Sequence, residues 1–426
     1  MATPAPAVPR LTYLRIKNYR ALRDVEFRDL TPLTVLIGPN GSGKSTVLDA
    51  LDFLAEAVRG NLTQAWEKRN RFAGMRTRGV KKGISFELKI KLSATGAIFH
   101  YYFEVDEQQS KVIVKDEWLK VESKTSAIRE EENVLFSIVK QLKGKGRNAI
   151  RLKYQPAVAS EIKVAYYDSS IDTEGITTPL DKSILSVAKA LKYAYFIQVN
   201  AFVKWFESYR LLHFTDDHLK GYSDAGPREK LSPNGDNLPN VLYYLHEKHP
   251  EVLEKITAQL RRWVPELAGV VTEMTSDERL LLRFRDAPFE KPLPAQYMSG
   301  GTMRLAALLT LLYEPDATGL LGMEEPDNEL HPLLLYRLAE ELGKASETRQ
   351  LLVTTHSPML LDALDPAQVW ILHRGTDGYT QATRTAGIPN VSELVEDGSP
   401  LGYLWTSNAF IVGNPLASFH PRPDAR

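Results

Sequence analysis

The sequence contains no cysteine, although the chain is 426 residues long. Disulfide bonds, zinc sites built on cysteine and thiol catalysis are therefore excluded. Net charge is absent as well, because 53 basic side chains balance 53 acidic ones. The molecule as a whole has no field that attracts nucleic acid or a membrane surface, so any such contact must depend on a local patch.

Long apolar runs are also missing. None approaches the ~18 residues that a membrane-spanning helix needs. The start of the chain, MATPAPAVPR, lacks the basic region and apolar stretch of a signal peptide. We therefore predict a cytoplasmic protein without membrane contact. Sustained heptads are absent too, which excludes a long coiled coil.

The patterns that are present predict an α/β domain over residues 11–416, between flexible tails at 1–10 and 417–426. The apolar stretch LTVLIG predicts a strand that runs into glycine, and STVLDALDFLAEAV follows with helical spacing. Residues 84–155 show alternating runs separated by turns, which indicates an antiparallel sheet. The stretch from about 180 to 265 indicates a helical insertion.

The clearest motif is GPNGSGKS, which matches the phosphate-binding loop G-x-x-x-x-G-K-[ST] between a strand and a helix. Its glycines allow backbone N–H groups to close around phosphate oxygens, and the helix N-terminus adds its dipole. Lys44 is predicted to reach the β- and γ-phosphates and Ser45 to bind Mg²⁺. The predicted nucleotide-binding residues are Gly38, Pro39, Asn40, Gly41, Ser42, Gly43, Lys44, Ser45 and Thr46.

A second motif, EEPDNELHP, places two carboxylates at the end of an apolar run. Beside a phosphate loop, Glu324 is predicted to orient the Mg²⁺ shell. Glu325 is predicted to accept a proton from the attacking water, as a general base. The alternative is a polar strand end with two solvated acids. His331, which follows the pair, is either a helix start or the edge of the active site.

Two further positions are candidates for contact with a bound phosphate group. His356 ends the predicted strand QLLVTT, where a neutral imidazole can donate to a γ-phosphate or hold the water; a partly buried polar cap is the alternative. Ser299 is predicted to be the N-cap of a helix that begins near Gly300. Its first turn, with Gly301, would expose backbone N–H groups to an incoming anion.

The order of these motifs resembles the ABC-type ATPase head, and most closely the RecF/SMC-like and OLD-like group, often described as predicted AAA-type ATPases. The segments LRIKNYRALRDVEF, GPNGSGKSTVLDAL, YMSGGTMRLAALL, EEPDNELHP and TTHSP are similar to that group's motifs in their order along residues 11–385. The resemblance implies a P-loop NTPase of the α/β class, an ABC-type ATPase head with an antiparallel β-lobe and a helical insertion.

The resemblance also implies how the sites are shared. In that group the S-G-G element of one subunit covers the γ-phosphate of ATP held by the phosphate loop of another, so a homodimer or higher homo-oligomer around Mg-ATP is expected. Arg20, in the first hairpin, would lie near the nucleotide. Two departures concern the metal: the acidic pair is Glu-Glu where many relatives have Asp-Glu, and the Mg²⁺-sensing glutamine has only Gln64 and Gln198 as candidates.

A basic segment, residues 68–82, is the main candidate for nucleic-acid contact, with a solvated charge run as the alternative. A shorter run, KGKGR at 143–147, is a second candidate. The predicted DNA-contacting residues of the basic segment are Lys68, Arg69, Arg71, Arg76, Arg78, Lys81 and Lys82.

The leading functional hypothesis is an ATPase that acts as sensor or motor of a DNA-linked system. Only 70 residues follow His356, too few for an added Toprim nuclease domain, so a separate nuclease or toxin partner is expected. The resemblance favours bacterial anti-phage defence, with a DNA repair or recombination clamp as the alternative. The insertion and the RecF-like start argue against a transporter subunit, and a small-molecule kinase leaves the S-G-G helix unexplained.

Overall fold

The structure is a computed structural model of the chain. It describes residues 8–92, 97–122, 134–142, 147–152, 177–188, 197–221, 223–224, 226–275, 279–287 and 289–414. Most of the two predicted tails, the end of the predicted sheet at 153–155 and most of the run at 143–147 lie outside these residues. Within the described part of the chain, no helix has both the length and the apolarity needed to cross a bilayer.

The regular elements have the following bounds. The strands are β1 Arg10–Tyr19, β2 Leu22–Arg28, β3 Leu33–Ile37, β4 Ile84–Lys91, β5 Ile98–Gln108, β6 Lys111–Glu122, β7 Val134–Leu142, β8 Arg147–Leu152, β9 Thr177–Pro179, β10 Arg210–Leu212, β11 Ser223–Asp224, β12 Leu267–Met274, β13 Arg279–Asp286, β14 Leu293–Pro294, β15 Leu320–Glu324, β16 Gln350–Thr354, β17 Val369–Arg374 and β18 Thr380–Arg384. The helices are α1 Lys44–Glu56, α2 Leu62–Lys68, α3 Arg71–Met75, α4 Ile184–Ala188, α5 Ile197–Glu207, α6 Asp216–Leu219, α7 Leu238–Lys248, α8 Pro250–Trp263, α9 Gly300–Leu312, α10 Leu335–Thr348, α11 Pro358–Leu361, α12 Val391–Glu396 and α13 Leu401–Thr406.

A six-stranded sheet with the order β10-β15-β16-β3-β17-β18 forms the centre of the molecule. All neighbours are parallel except β17 and β18. Strand β3, with the sequence LTVLI, is buried along its whole length, as expected for a central strand covered on both faces. Because the parallel strands point the same way, the residues that follow β3, β15, β16 and β17 meet at one edge, where α/β sheets bind ligands.

An eight-stranded antiparallel sheet, ordered β2-β1-β4-β5-β6-β7-β8-β9, forms the β-lobe. Its strands β4 to β8 cover most of the stretch predicted as antiparallel, and the first hairpin, β1 and β2, extends it. Helix α1 packs on its inner face through aromatic contacts, with ring centroids 6.2 Å apart for Phe53 and Tyr19 and 6.0 Å apart for Phe53 and Phe86. The helix that follows the phosphate loop is therefore held between the two sheets.

The stretch from 180 to 265 contains helices α4 to α8, but it also contributes β10, which pairs with β15 at the edge of the central sheet. The sequence pattern did not predict this strand. A third sheet has β13 between β11 and β12, with β14 paired to β13. Strand β11 precedes α7, and the other three strands lie between α8 and α9. Helix α9 is buried on nearly all sides, which matches its almost uniformly apolar sequence.

Candidate nucleotide site

The phosphate loop joins β3 to α1 and lies against the ends of β17 and β18. Gly38 has φ +145°, and a Cβ atom there would lie 2.0 Å from the backbone oxygen of Leu372. Gly43 has φ +106°, and its Cβ would lie 2.7 Å from Oγ1 of Thr380. Only glycine fits both the dihedral angles and the close approach.

Lys44 closes the loop on itself. Its Nζ donates to the carbonyl of Gly38 at 2.9 Å and to that of Pro39 at 3.3 Å. Burial lowers the pKa of Lys44, and the nearby Glu325 carboxylate opposes that change. Ser42 carries a buried hydroxyl oxygen without a hydrogen-bond partner among the described residues. The Lys44 ammonium group and the backbone amides of the loop are donors of the kind that bind phosphate oxygens, whereas the Ser42 hydroxyl is buried away from the cavity.

A cavity of about 280 Å³ opens beside the loop. It brings together the phosphate loop, the first hairpin and the ends of three strands, which are far apart in sequence. Its lining residues are Arg20, Ala21, Asn40, Gly41, Gly43, Lys44, Ser45, Thr46, Glu325, His356 and Arg374.

Glu325 and His356 face each other across the cavity. Nε2 of His356 lies 3.5 Å from Oε1 of Glu325, whose other carboxylate oxygen accepts from Asn328 at 2.8 Å. Burial and the charge of Lys44 lower the pKa of His356, and Glu325 opposes them. The imidazole is therefore neutral at neutral pH, so it has one N–H to donate and one nitrogen to accept.

Glu324 points away from this cavity, as alternation along β15 predicts for the neighbour of Glu325. Its Oε2 lies 3.0 Å from Nδ1 of His213. The histidine follows β10, at the edge of the central sheet. Of the two candidate glutamines, Gln64 belongs to α2 and does not line the cavity, and Gln198 belongs to α5.

Ser299 is the N-cap of α9, as predicted, because its hydroxyl accepts from the backbone N–H of Thr302 at 3.1 Å. The side chain of Ser299 is exposed. Gly301 is required by a close contact, since a Cβ there would lie 2.6 Å from the backbone oxygen of Glu329. None of residues 299–301 lines the cavity of the same chain.

Arg20 lies at the tip of the first hairpin in a left-handed conformation, with φ +48°. Its Nη1 is 3.0 Å from Asp49 on α1, and its backbone N–H donates to Met75 at 2.6 Å. These contacts hold the guanidinium at the wall of the cavity. His331, by contrast, accepts from the backbone N–H of Leu333 at 3.2 Å, which supports the interpretation as a helix start.

Sequence reasoning missed three residues around the site. Arg374, at the end of β17, lines the cavity and donates to the carbonyl of Gly41 at 2.9 Å. The other two are His213 and Arg304, which is buried in α9. The apolar stretch VWILHR signalled a strand ending in Arg374, but the place of that strand beside the phosphate loop depends on the sheet order.

The basic segment 68–82 is less uniform than its sequence suggests. Arg69 is only 5% exposed and forms ion pairs with Asp49 at 2.9 Å, with Asp52 at 2.7 Å and with Glu56. The prediction that Arg69 contacts DNA is therefore wrong, because a buried guanidinium shared by three acids cannot reach a phosphate backbone. Arg76 is paired with Asp106 at 2.7 Å and is partly buried. The exposed members are Lys68, Arg71, Arg78, Lys81 and Lys82.

No group of three or more histidine, aspartate or glutamate side chains forms a metal cage in the part of the chain that the structure describes. Mg²⁺ does not need one, because it is usually held by one or two carboxylates together with phosphate oxygens and water. Ser45, at the cavity wall, fits this mode. The predicted assignment of Glu324 does not, because alternation along β15 turns its carboxylate away from the cavity toward His213.

Comparisons with known proteins identify the family and the fold. A family model described as "AAA domain, putative AbiEii toxin, Type IV TA system" matches residues 33–362. The OLD nuclease of Thermus scotoductus is 48% identical over 44 residues, which are 10% of this chain and 8% of that protein. The Retron Ec83 probable ATPase of Escherichia coli is 35% identical over 60 residues, which are 14% of this chain and 11% of that protein.

Among solved structures, the SMC head bound to the C-winged helix domain of ScpA has a TM-score of 0.50 at 14% identity, covering 88% of this chain and 97% of that one. This similarity shows the fold alone, whereas the curated matches span only a small part of either relative. The predicted fold, an ABC-type ATPase head of the P-loop class, is confirmed, as is the predicted ATPase group. The family model matches more than half of this chain, so the chain belongs to the AAA domain family that carries the AbiEii toxin description.

Proposed function

We propose that the protein binds Mg-ATP between two copies of itself and hydrolyses it there. We further propose that this cycle drives the sensor or motor of a DNA-linked system, bacterial anti-phage defence with a separate nuclease or toxin effector. The main support for a shared site is that the two anion-binding elements of one chain, the phosphate loop and the N-terminus of α9, do not belong to the same cavity. The cavity contains the phosphate loop, Glu325 and His356, but the exposed N-terminus of α9 at Ser299 is not part of it.

The proposal gives the following roles to residues of the cavity and to the cap of α9. Lys44 and the loop amides bind the β- and γ-phosphates, and Ser45 would hold the metal, whereas Glu324 faces His213 outside the cavity. When bound, Mg²⁺ neutralises charge on the phosphate oxygens. Glu325 accepts the proton of the attacking water, and neutral His356 donates its N–H to the water or to the γ-phosphate. Ser299 and the amides of α9 cap the γ-phosphate of the partner's nucleotide.

The biological role rests on the relatives. One curated relative is named a nuclease and the other a retron ATPase, and the family description names a toxin system. All three support an ATPase that works beside an effector. Plaque counts of phage on cells with and without the gene and its neighbours test this role. Protection should require the neighbours, and equal counts in all strains would contradict defence.

The shared site is tested with Glu325→Gln, which keeps nucleotide binding but removes the general base. This variant should accumulate as a dimer in saturating Mg-ATP, measured by light scattering, and should be a monomer without nucleotide. Lys44→Ala is the matched control, because it removes the phosphate contact and should remain monomeric under both conditions. Monomeric Glu325→Gln in saturating Mg-ATP would contradict the shared site.

A further inference from the structure

Arg304 is a buried arginine in the second turn of α9, downstream of the Ser299 cap. It is only 5% exposed. Its Nη2 donates to the carbonyl of Phe214 at 2.8 Å, and its Nη1 donates to the carbonyl of Glu325 at 3.3 Å. One guanidinium thus links α9 to two other segments, the end of β10 and the residue after β15.

The backbone of Glu325 is fixed from two sides. Its amide donates to the backbone oxygen of Thr354 at 3.0 Å, which ties it to β16. Its carbonyl accepts from Arg304 and from the backbone N–H of Asn328 at 3.2 Å. Glu325 itself has φ +43°, an unfavourable conformation for a residue with a side chain, and such a conformation persists only when its surroundings hold it.

The second contact of Arg304 extends this connection to the other acid of the pair. Phe214, whose carbonyl Arg304 holds, directly follows His213. His213 lies 3.0 Å from the carboxylate of Glu324. The chain of contacts from α9 therefore reaches both acids at the end of β15, Glu325 through its backbone and Glu324 through the end of β10.

The same helix carries the cap for the other site. Ser299 and Arg304 lie on α9 less than two turns apart, so a displacement of the helix start moves both. We propose that Arg304 is a positioning residue that couples the two ATP sites: when Ser299 engages the partner's nucleotide, Arg304 sets the backbone of Glu325 in its own site. This inference rests on the proposed shared-site hydrolysis.

The test compares two buried arginines that both hold α9. Arg349 donates to the carbonyl of Leu311 at 2.7 Å, near the C-terminal end of α9, so it supports the helix without touching the acidic pair. In Arg304→Met, kcat should fall on the order of 100-fold, because a misplacement of about 1 Å has that effect. KM and the affinity for a fluorescent ATP analogue should stay within roughly two-fold, since the phosphate contacts are intact.

Two readouts separate coupling from mere stability. In Arg304→Met the dependence of hydrolysis on ATP concentration should lose its cooperativity, and hydrogen exchange of the nucleotide-free protein should be faster in residues 325–330. Arg349→Lys should lower the melting temperature while leaving cooperativity and exchange at 325–330 as in the unmodified protein. Retained cooperativity and an unchanged kcat in Arg304→Met would overturn the inference.

Arg304→Lys keeps the experiment decisive if the methionine variant does not fold. Lysine keeps the charge but reaches only one carbonyl. We therefore expect kcat to fall roughly 10-fold in Arg304→Lys, while its melting temperature is the same as that of Arg349→Lys. An unchanged kcat in Arg304→Lys would overturn the coupling. Glu325→Gln shows whether the proposed function itself fails, because hydrolysis at the full rate in this variant would mean that the proposed base is wrong. An inactive Glu325→Gln together with a fully active Arg304→Met would refute only the coupling.

Discussion

Single residues decide whether the phosphate loop can form. At Gly38 a side chain would meet the backbone oxygen of Leu372 at 2.0 Å, in addition to the strain of φ +145°. Gly378 has φ +80° but open space around it, so alanine there adds only backbone strain of about 1 kcal/mol. A comparison of alanine substitutions at Gly38 and Gly378 therefore separates the effect of close packing from the effect of the dihedral angle.

We therefore expect Gly38→Ala to abolish nucleotide binding and Gly378→Ala to retain it. Calorimetric titration with ATP measures the affinity, and thermal unfolding measures the loss of stability. The melting temperature should fall further in Gly38→Ala, because the loop must shift away from β17. Nucleotide affinity equal to that of the unmodified protein in Gly38→Ala would contradict this account of the loop.

At the scale of elements, α1 is joined to the basic segment by an ionic cluster. Its residues Asp49, Asp52 and Glu56 converge on Arg69. Arg69→Met removes the buried partner that three acids share, although Asp49 keeps Arg20 and Glu56 keeps Lys68, so the free energy of unfolding should fall by about 3 kcal/mol in urea titrations. Arg71→Met is the matched control, because Arg71 is exposed and its removal should leave stability within about 0.5 kcal/mol.

The same exposed arginine tests the proposed DNA contact. Arg71→Met and Lys81→Met should weaken duplex binding and reduce its salt dependence, measured by fluorescence anisotropy at two salt concentrations. The expected change is a salt slope reduced by about one per phosphate contact removed. Unchanged affinity in a variant that lacks both charges would argue against a DNA role for this surface.

A second contact between elements, which joins β6 to the start of α4, predicts that stability depends on pH. Glu117 on β6 is fully buried and accepts from Tyr101 at 2.9 Å, from Ser183 at 2.7 Å and from the amide of Ile184, at the start of α4, at 2.7 Å. Burial raises the pKa of Glu117 to about 7, and these donors oppose the rise. The folded state therefore binds the proton more tightly than the unfolded state does.

Stability from this group is present below the unfolded pKa of about 4.5 and is lost as pH rises through 7. Relative to Glu117→Gln, which does not titrate, the free energy of unfolding of the unmodified protein should fall by roughly 2–3 kcal/mol between pH 5 and pH 8. Urea unfolding at both pH values measures the difference. A difference that is constant, or that grows with pH, would contradict the buried carboxyl as its source.

At the scale of the whole molecule, the proposed shared site predicts complementation between two inactive variants. Lys44→Ala loses the phosphate contact and Ser299→Arg blocks the cap, so each alone should hydrolyse no ATP. In a mixed dimer, one site combines the intact Lys44 of one subunit with the intact Ser299 of the other. An equal mixture should recover at most roughly half of the activity, since only mixed dimers close around nucleotide and one of their two sites is intact.

Steady-state ATPase assays of the separate and mixed variants measure this recovery. Mixing Lys44→Ala with Glu325→Gln is the control, because both changes fall on the phosphate-loop side and the mixed dimer has no intact site. Absence of activity in the first mixture would show that the nucleotide is bound within a single subunit, whereas activity in the control would show that Glu325 acts on the partner's nucleotide.

The sequence alone determined the parts of the site whose chemistry is local. The phosphate loop, the Ser299 cap and the acidic strand end each depend on backbone geometry within a few residues, so their residue types reveal them. The basic segment shows the limit: Arg69 and Arg71 have the same chemistry in sequence, but only the fold buries one of them.

Only the tertiary structure decided which distant segments meet. The three-residue β10 is too short to show a pattern, and it becomes a strand because β15 offers it a free edge. The contact between Arg304 and Phe214 joins residues 90 positions apart. Such pairs are selected by the packing of whole elements rather than by neighbours in the chain, so His213, Arg304 and Arg374 emerge only once the sheet order places them beside the phosphate loop and the two acids.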